Sequence, residues 1–143
     1  PADTFLDTAG FGKGILSGVK INDHRHFGFD MFPLPLDEAQ LARIDFSGAC
    51  QDGVPAFYQF EFDVHEPADT FLDTAGFGKG AAFINGFNLG RFWEIGPQTR
   101  LYLPAPLLRK GRNILILFET EGKSTDHISL CAQPALDSAV SKA

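Results

Sequence analysis

The sequence AAFINGFNLGRF, residues 81–92, carries the clearest structural signal in this chain. Two largely apolar segments, 81–84 and 87–92, flank the dipeptide Asn85-Gly86. Both residues of that dipeptide tolerate a positive φ, which the type I′ turn of a two-residue β-hairpin requires. The pattern therefore predicts two antiparallel strands joined at Asn85 and Gly86.

A further strand is predicted upstream, over residues 57–65. Its apolar and polar side chains alternate: Tyr58, Phe60, Phe62 and Val64 against Gln59, Glu61, Asp63 and His65. A period of two places one face of a strand in a core and the other in water.

The remaining pattern is one of short strands, at residues 68–73, 100–103, 113–119 and 127–132, and in a hairpin of 15–21 with 27–32. Segment 113–119 is apolar on both faces, which is typical of a central strand in a covered sheet. Helix is predicted at 38–44, where Asp37 and Gln40 have capping-box spacing, and for one turn at 107–110. These elements predict an all-β fold, an antiparallel β-sandwich with jelly-roll connectivity.

Composition and charge narrow the function classes. The net charge of −6 argues against a phosphate-binding surface, so no nucleic-acid partner is expected. The sequence holds no apolar run long enough for a membrane span, so no membrane partner is expected. Cys50 and Cys131 lack the spacing of a metal or redox motif, and no cofactor is expected.

One segment occurs twice without a change: PADTFLDTAGFGKG covers residues 1–14 and again residues 67–80. The identity ends abruptly, so the chain is not a tandem array, and the copy is recent, engineered or an error of assignment. We predict that residues 67–80 keep their place in the sheet, because they adjoin the hairpin and close a short loop. Residues 1–14 are then expected in an outer position. Two alternatives stay open: the first copy takes the strand position in its own chain and ejects the second, or it fills that position in a partner chain, which gives a homodimer by strand exchange.

Three motifs resemble a known module: GFGKG (76–80), INGFNLGRFWEIGPQ (84–98) and LYLPAPLLRKGRN (101–113). They resemble the C-terminal galactose-binding-like β-sandwich of bacterial β-galactosidases of glycoside hydrolase family 35. GILSGVKI and FPLPLD resemble the end of the preceding β-domain and its linker. The resulting regions are the copied segment 1–14, the preceding β-domain end with linker and short helix 15–54, the β-sandwich domain 55–132 and a tail 133–143.

The resemblance implies a companion module of such an enzyme rather than its active site. In the family the two catalytic carboxylates lie on a (β/α)₈ barrel of about 250 residues, which is longer than this chain. No acidic residue here matches those roles, so no catalytic residue is expected. The implied function is architectural, with the catalytic barrel of the parent enzyme as partner. The implied source is a bacterium, and the sequence leaves the compartment open between cytoplasm and periplasm. An engineered folding switch built on the duplicated segment is a further alternative.

A carbohydrate-binding module for galactose-containing glycans is the alternative function. Its candidate residues are Trp93, Arg91, Asn88 and Phe87, since an aromatic wall with a few polar groups is typical of ligand sites. Alternation is expected to place Phe87, Leu89, Arg91 and Trp93 on one strand face. The competing interpretation packs Trp93 and Phe87 in the core or against a neighbouring domain, with Arg91 covering that contact.

Two residue pairs have a second chemical interpretation. Glu61 and Asp63 share a strand face, but acidic pairs on a half-exposed strand are usually solvated, and catalysis also needs a pocket. His24 and His26 have the HxH spacing that suits zinc where a third ligand converges. Because their segment is predicted to be a hairpin turn, we expect solvated side chains and no metal site.

Overall fold

A computed structural model describes residues 6–8, 18–30, 35–49, 52–96 and 99–135. The chain divides into two compact units, Pro1–Pro35 and Leu36–Ala143. Antiparallel sheets make up nearly all of the regular structure in the described residues, which confirms the predicted fold class. In that part of the chain, no helix is long and apolar enough to cross a membrane.

The described residues of the smaller unit form a sheet of three short strands, β1 (Leu6–Thr8), β2 (Val19–Ile21) and β3 (His24–His26), paired in that order. Asn22 and Asp23 form the turn between β2 and β3, with φ of 47° and 67°. The prediction of a strand at 27–32 is therefore wrong for the described residues 27–30. Two residues that tolerate a positive φ already close the hairpin, so the return strand begins at His24. Residues 15–17 and 31–32 lie outside the described part.

In its described residues, the larger unit contains two sheets, one short helix and one 3₁₀ turn. The four-stranded sheet has the order β4 (Ala56–Val64), β9 (Gly111–Glu119), β6 (Lys79–Ile84) and β7 (Phe87–Trp93). The three-stranded sheet has the order β10 (Ser129–Cys131), β5 (Thr70–Asp73) and β8 (Arg100–Leu103). Every neighbouring pair is antiparallel.

Both sheets contribute to one core, which we call the inner core. Its buried members are Leu72, Phe77, Ala82, Ile84, Phe92, Leu101, Leu103, Leu108, Leu115 and Leu117. The predicted apolar face of β4 packs against it through Tyr58, Phe60, Phe62 and Val64, while Gln59, Glu61 and Asp63 are exposed. Each large side chain buried this way contributes about 1.5–3 kcal/mol, so the inner core holds the two sheets together.

The opposite face of the four-stranded sheet carries a second cluster, the outer core, formed by Leu41, Phe83 and Ile116 with partly buried neighbours. Strand β9 is therefore covered on both faces, as its sequence predicts. Leu41 ends the short helix α1 (Glu38–Leu41), whose N-cap Asp37 accepts a hydrogen bond from the Gln40 backbone N–H at 2.9 Å.

Two predicted helical segments differ from the structure. Helix α1 stops at Leu41 rather than near residue 44, because Ile44 and Phe46 both pack on the outer core, and an extended backbone allows side chains two apart to share a face. The predicted turn at 107–110 is a 3₁₀ turn at Ala105–Leu107 instead. Proline presets the φ that such a turn needs, and Pro104 and Pro106 lie at its start.

The two copies of the repeated segment pair in different sheets. Leu6–Thr8 of the first copy pairs with β2, whereas Thr70–Asp73 of the second lies between β8 and β10. Residues 1–5 and 9–14 lie outside the described part, so the predicted outer position of the first copy stays a prediction.

Candidate functional site

The candidate site residues lie on β7, which is an edge strand of the four-stranded sheet. The preceding turn has φ of 49° at Asn85 and 86° at Gly86, as the predicted type I′ turn requires. Further along, the pairing of β6 with β7 shifts: Ala82 is opposite Gly90, but Phe83 is opposite Asn88. Leu89 is therefore the extra residue of a β-bulge.

The bulge reverses the alternation of side chains along β7. Residues directly opposite each other on paired strands point to the same face. Arg91 is opposite Ala81, which packs on the outer core, whereas Phe87 is opposite Ile84 in the inner core. The prediction that Phe87 and Leu89 share a face with Arg91 and Trp93 is therefore wrong, because Leu89 is the extra residue of the bulge and itself packs against the inner core.

The same bulge moves Asn88 to the face that carries Arg91 and Trp93. Asn88 is opposite Phe83, a member of the outer core, and so lies on the face of Arg91 and Trp93. The structure thus groups three of the four candidates, Asn88, Arg91 and Trp93, and separates Phe87. Gly90 was the available signal, because a glycine inside a strand often marks a bulge, and its φ here is 133°.

Trp93 is half-buried and has two cations near its ring. The Lys79 Nζ lies 5.1 Å from the ring centroid, and the Arg91 Cζ lies 5.6 Å from it. Both distances are within cation–π range, where an exposed contact contributes about 0.5–1 kcal/mol. Sequence reasoning missed Lys79, because its position opposite Trp93 depends on the register of β6 and β7.

A pocket of about 240 Å³ lies beside the end of β7. Trp93, Glu94 and Phe77 form part of its wall, and Asp73, Thr99 and Arg100 supply polar groups. Its volume is below the usual range of about 300–1,000 Å³ for ligand sites, so it suits a ligand no larger than a single sugar ring.

An ion pair forms one wall of this pocket. The Arg100 Nε donates to the Asp73 Oδ2 at 2.8 Å, and both side chains are about three-quarters buried or more. This hydrogen bond raises the pKa of the Arg100 guanidinium. The Arg100 Nη1 also donates to the Gln133 carbonyl at 3.0 Å, which fixes the plane of the guanidinium at the pocket.

Two fully buried polar side chains support the loops around β6 and β7, and sequence reasoning missed both. Asn113 accepts from the Asn85 Nδ2 at 2.9 Å and from the Arg109 backbone N–H at 2.8 Å. Its own Nδ2 donates to the carbonyls of Arg109 and Gly111, each at 2.8 Å. The hairpin turn at Asn85 is therefore tied to the loop before β9.

Glu119 is the second buried group, and backbone N–H groups alone are its hydrogen-bond donors among the described residues. Its carboxylate accepts from Gly78, Lys79, Glu121, Gly122 and Lys123, at 2.6–3.3 Å. Within the described residues, no buried side-chain nitrogen or oxygen lacks a partner. Asn113 and Glu119 therefore have structural roles, because their hydrogen-bonding groups are already used within the protein.

The two other residue pairs lie away from this pocket. Glu61 is exposed and accepts from the Arg112 Nη2 at 2.5 Å, and Asp63 is exposed on the same face of β4. His24 and His26 are exposed on β3, so the prediction that both lie in a turn is wrong. In the described part of the chain, no three His, Cys, Asp or Glu side chains are placed to hold a metal ion.

Comparisons with known proteins point to one family. Residues 55–113 match the family model described as the galactose-binding domain of β-galactosidase. β-Galactosidase 1 of Dictyostelium discoideum is 39% identical over 116 residues, covering 76% of this chain and 17% of the relative. β-Galactosidase 17 of Arabidopsis thaliana is 38% identical over 128 residues, covering 76% and 18%. The β-galactosidase of Xanthomonas manihotis is 42% identical over 90 residues, covering 63% and 15%.

The chain thus spans less than a fifth of the length of these relatives. The resemblance drawn from the motifs is confirmed for the matched region. The bacterial source and the origin of the duplicated segment stay predictions.

Proposed function

We propose that residues 55–113, which match the family model of the galactose-binding domain of β-galactosidase, are a non-catalytic accessory module of a β-galactosidase-type enzyme. Its role is architectural: it packs against the rest of the enzyme, and the catalytic barrel is its partner. The matched region makes up less than a fifth of each relative, so most of each relative lies outside it and could pack against it, which supports this role.

The observation that carries the proposal is the open edge of the four-stranded sheet. Strand β7 pairs with β6 on one side and with no described strand on the other. Phe87 is 54% exposed at one end of this edge, and Ile95, just past the other end, is 58% exposed. Large apolar side chains along an unpaired strand edge mark a surface that another protein element covers.

The test is binding to a truncated relative. The β-galactosidase of Xanthomonas manihotis, with its matching region removed, is titrated with this chain in a calorimeter. We expect binding, and we expect Phe87→Ser to weaken it about tenfold, which corresponds to about 1.4 kcal/mol.

Val54→Ser is the matched control, since Val54 is an exposed apolar residue away from β7. Equal binding by the Phe87 and Val54 variants would contradict the proposed surface, and hydrolysis of a chromogenic galactoside by the chain alone would contradict the non-catalytic role.

The pocket beside Trp93 favours a second candidate function, binding of a galactoside. Two aromatic rings, Phe77 and Trp93, lie there beside several polar groups, and an aromatic wall with placed polar groups is typical of ligand sites. In this proposal Trp93 provides the apolar wall, Asp73 and Arg100 hold hydroxyl groups, and Asn88 and Arg91 extend the polar surface on the outer face.

Titration with galactose and with lactose separates the two functions. Binding that Trp93→Ala abolishes and Phe87→Ala preserves would support the sugar site, because the two side chains lie on opposite faces of β7. Absence of binding by the unaltered chain would leave the architectural role alone.

A further inference from the structure

We propose that residues 3–8 of the first copy can replace residues 69–74 of the second copy in the three-stranded sheet of the same chain. The larger unit then has two identical segments, either of which can form its central strand β5. The proposal concerns this one strand position, which we call the β5 position; it is flanked by β8 and β10.

The β5 position makes specific demands on its occupant. Leu72 is fully buried in the inner core, and the Asp73 carboxylate pairs with Arg100 at 2.8 Å. The Thr70 hydroxyl donates to the Cys131 carbonyl at 3.0 Å. A strand that lacks a leucine, an aspartate or a threonine at these points loses a buried contact or leaves a polar group unpaired.

A further anchor precedes the strand. The Asp69 carboxylate accepts from the Tyr102 hydroxyl at 2.7 Å and from the Ala105 backbone N–H at 2.9 Å. This anchor fixes the register, because a slip by one residue turns every side chain of a strand to the other face.

The first copy meets all of these demands. Asp3, Thr4, Leu6 and Asp7 have the spacing of Asp69, Thr70, Leu72 and Asp73, and the intervening residues are identical as well. Either copy can therefore form the same side-chain contacts and the same ladder with β8 and β10. The two arrangements differ in how the chain connects to the strand, not in the strand itself.

The connection permits the exchange. Residues 15–35 lie between the first copy and Leu36, which packs on the outer core, and they reach about 70 Å when extended. A domain of this size has a radius of gyration of about 13 Å, so the tether can reach either end of the sheet. In leaving its own sheet, the first copy gives up the pairing of Leu6–Thr8 with a strand of three residues.

The second copy holds the position in the undamaged chain, because its loops to β4 and β6 are short and closing a longer loop is less favourable. That difference grows slowly with loop length, whereas a charge in the core is strongly unfavourable. A charged substitution in the second copy therefore shifts the equilibrium so that the first copy occupies the β5 position. The sheet can then form despite a substitution in either copy.

The test substitutes the buried leucine of each copy in the full chain. We expect Leu72→Asp alone to keep a cooperative thermal transition, because Leu6 takes its place, and Leu6→Asp alone to leave the transition unchanged. The double variant should lose the transition, as should Leu101→Asp, whose position has no second copy. Loss of the transition in Leu72→Asp as complete as in the double variant would overturn the proposal.

Hydrogen exchange measured by mass spectrometry locates the strand that is in use. In Leu72→Asp the amides of residues 4–8 should become protected at least about tenfold, while those of residues 70–74 lose protection. Protection that stays on residues 70–74 would overturn the proposal. Sedimentation should show a monomer; a dimer would mean that the strand comes from a second chain, which would overturn the same-chain exchange.

Discussion

At the scale of single residues, the buried amide of Asn113 organises the loop before β9. It makes four hydrogen bonds, two as acceptor and two as donor, and joins the hairpin turn at Asn85 to the backbone of Arg109 and Gly111. A leucine of similar size would remove all four bonds, so the Arg109 N–H and the carbonyls of Arg109 and Gly111 would lose this partner, while the Asn85 Nδ2 would keep its bond to the Leu107 carbonyl at 2.8 Å.

We expect Asn113→Leu to lower the free energy of unfolding by about 3 kcal/mol or more, since four hydrogen bonds of a fully buried side chain are lost and each contributes about 0.5–1.5 kcal/mol. Urea denaturation followed by tryptophan fluorescence measures the change. Asn88→Leu, an exposed asparagine on β7, is the control and should change stability by less than about 0.5 kcal/mol. Equal midpoints for the two variants would contradict the structural role of Asn113.

Asp69 gives the domain an acid-sensitive contact. The Ala105 backbone N–H and then the Tyr102 hydroxyl hold the pKa of the Asp69 carboxyl below its ordinary value of 3.8. A lowered pKa in the folded state means that the contact stabilises the fold above pH 3.8 and loses this effect as the pH falls further.

Asp69→Asn should therefore flatten the decline of the melting temperature below about pH 4. A pH series from 6 to 2 on both proteins measures this, with Asp52→Asn as an exposed control. Parallel curves for the parent and Asp69→Asn would show that the contact does not contribute.

At the scale of elements, the strands with a strong apolar period could be predicted from sequence. The strands predicted at 57–65 and 113–119 match β4 and β9 to within two residues at each end, because burial of one face or of both is visible in the apolar pattern. The bulge in β7 does not alter the apolar pattern, and Gly90 is its one local signal, since an added residue preserves the composition while it reverses the faces. Strict alternation would separate Asn88 from Arg91 and Trp93, whereas the bulge places the three on one face and Phe87 on the other. Their role in sugar binding stays a prediction.

The environment of Trp93 also could not be predicted from sequence, because it depends on the register between β6 and β7. Lys79 is fourteen residues away in sequence and is directly opposite across the hairpin. Its distance from the indole follows from the pairing of two strands and the bulge between them, neither of which a local pattern specifies.

Helix α1 and the residues after it cover the outer face of the sheet, and Leu41 is their most buried side chain. Leu41→Ala should lower the free energy of unfolding by about 2–5 kcal/mol, because the cavity is too confined to close fully. Denaturant titration tests this, with the half-exposed Leu130→Ala as control. A loss no larger than that of the control would mean that the helix merely lies on the sheet.

At the scale of the whole molecule, the two compact units predict independent folding of the larger one. All residues of the inner and outer cores lie within Leu36–Ala143. A chain that starts at Leu36 should keep the melting temperature of the full chain within a few degrees, measured by circular dichroism. A large loss would show that the first unit stabilises the second.

The same truncation should change the effect of a substitution in β5. Without residues 1–35, Leu72→Asp should unfold the larger unit, although the full-length variant keeps its transition. This difference separates the contribution of the first copy to robustness from its contribution to stability.

Glu119 has a consequence for which parts of the sequence can vary. Its donors belong to the main chain, so the side chains of Glu121 and Lys123 are replaceable as far as this carboxylate is concerned. Gly122 is not, because a Cβ there would lie 2.3 Å from the Gly53 carbonyl carbon. A saturation library over residues 119–123 should therefore recover folded clones with many residues at 121 and 123, and few or none with a replacement at 119 or 122.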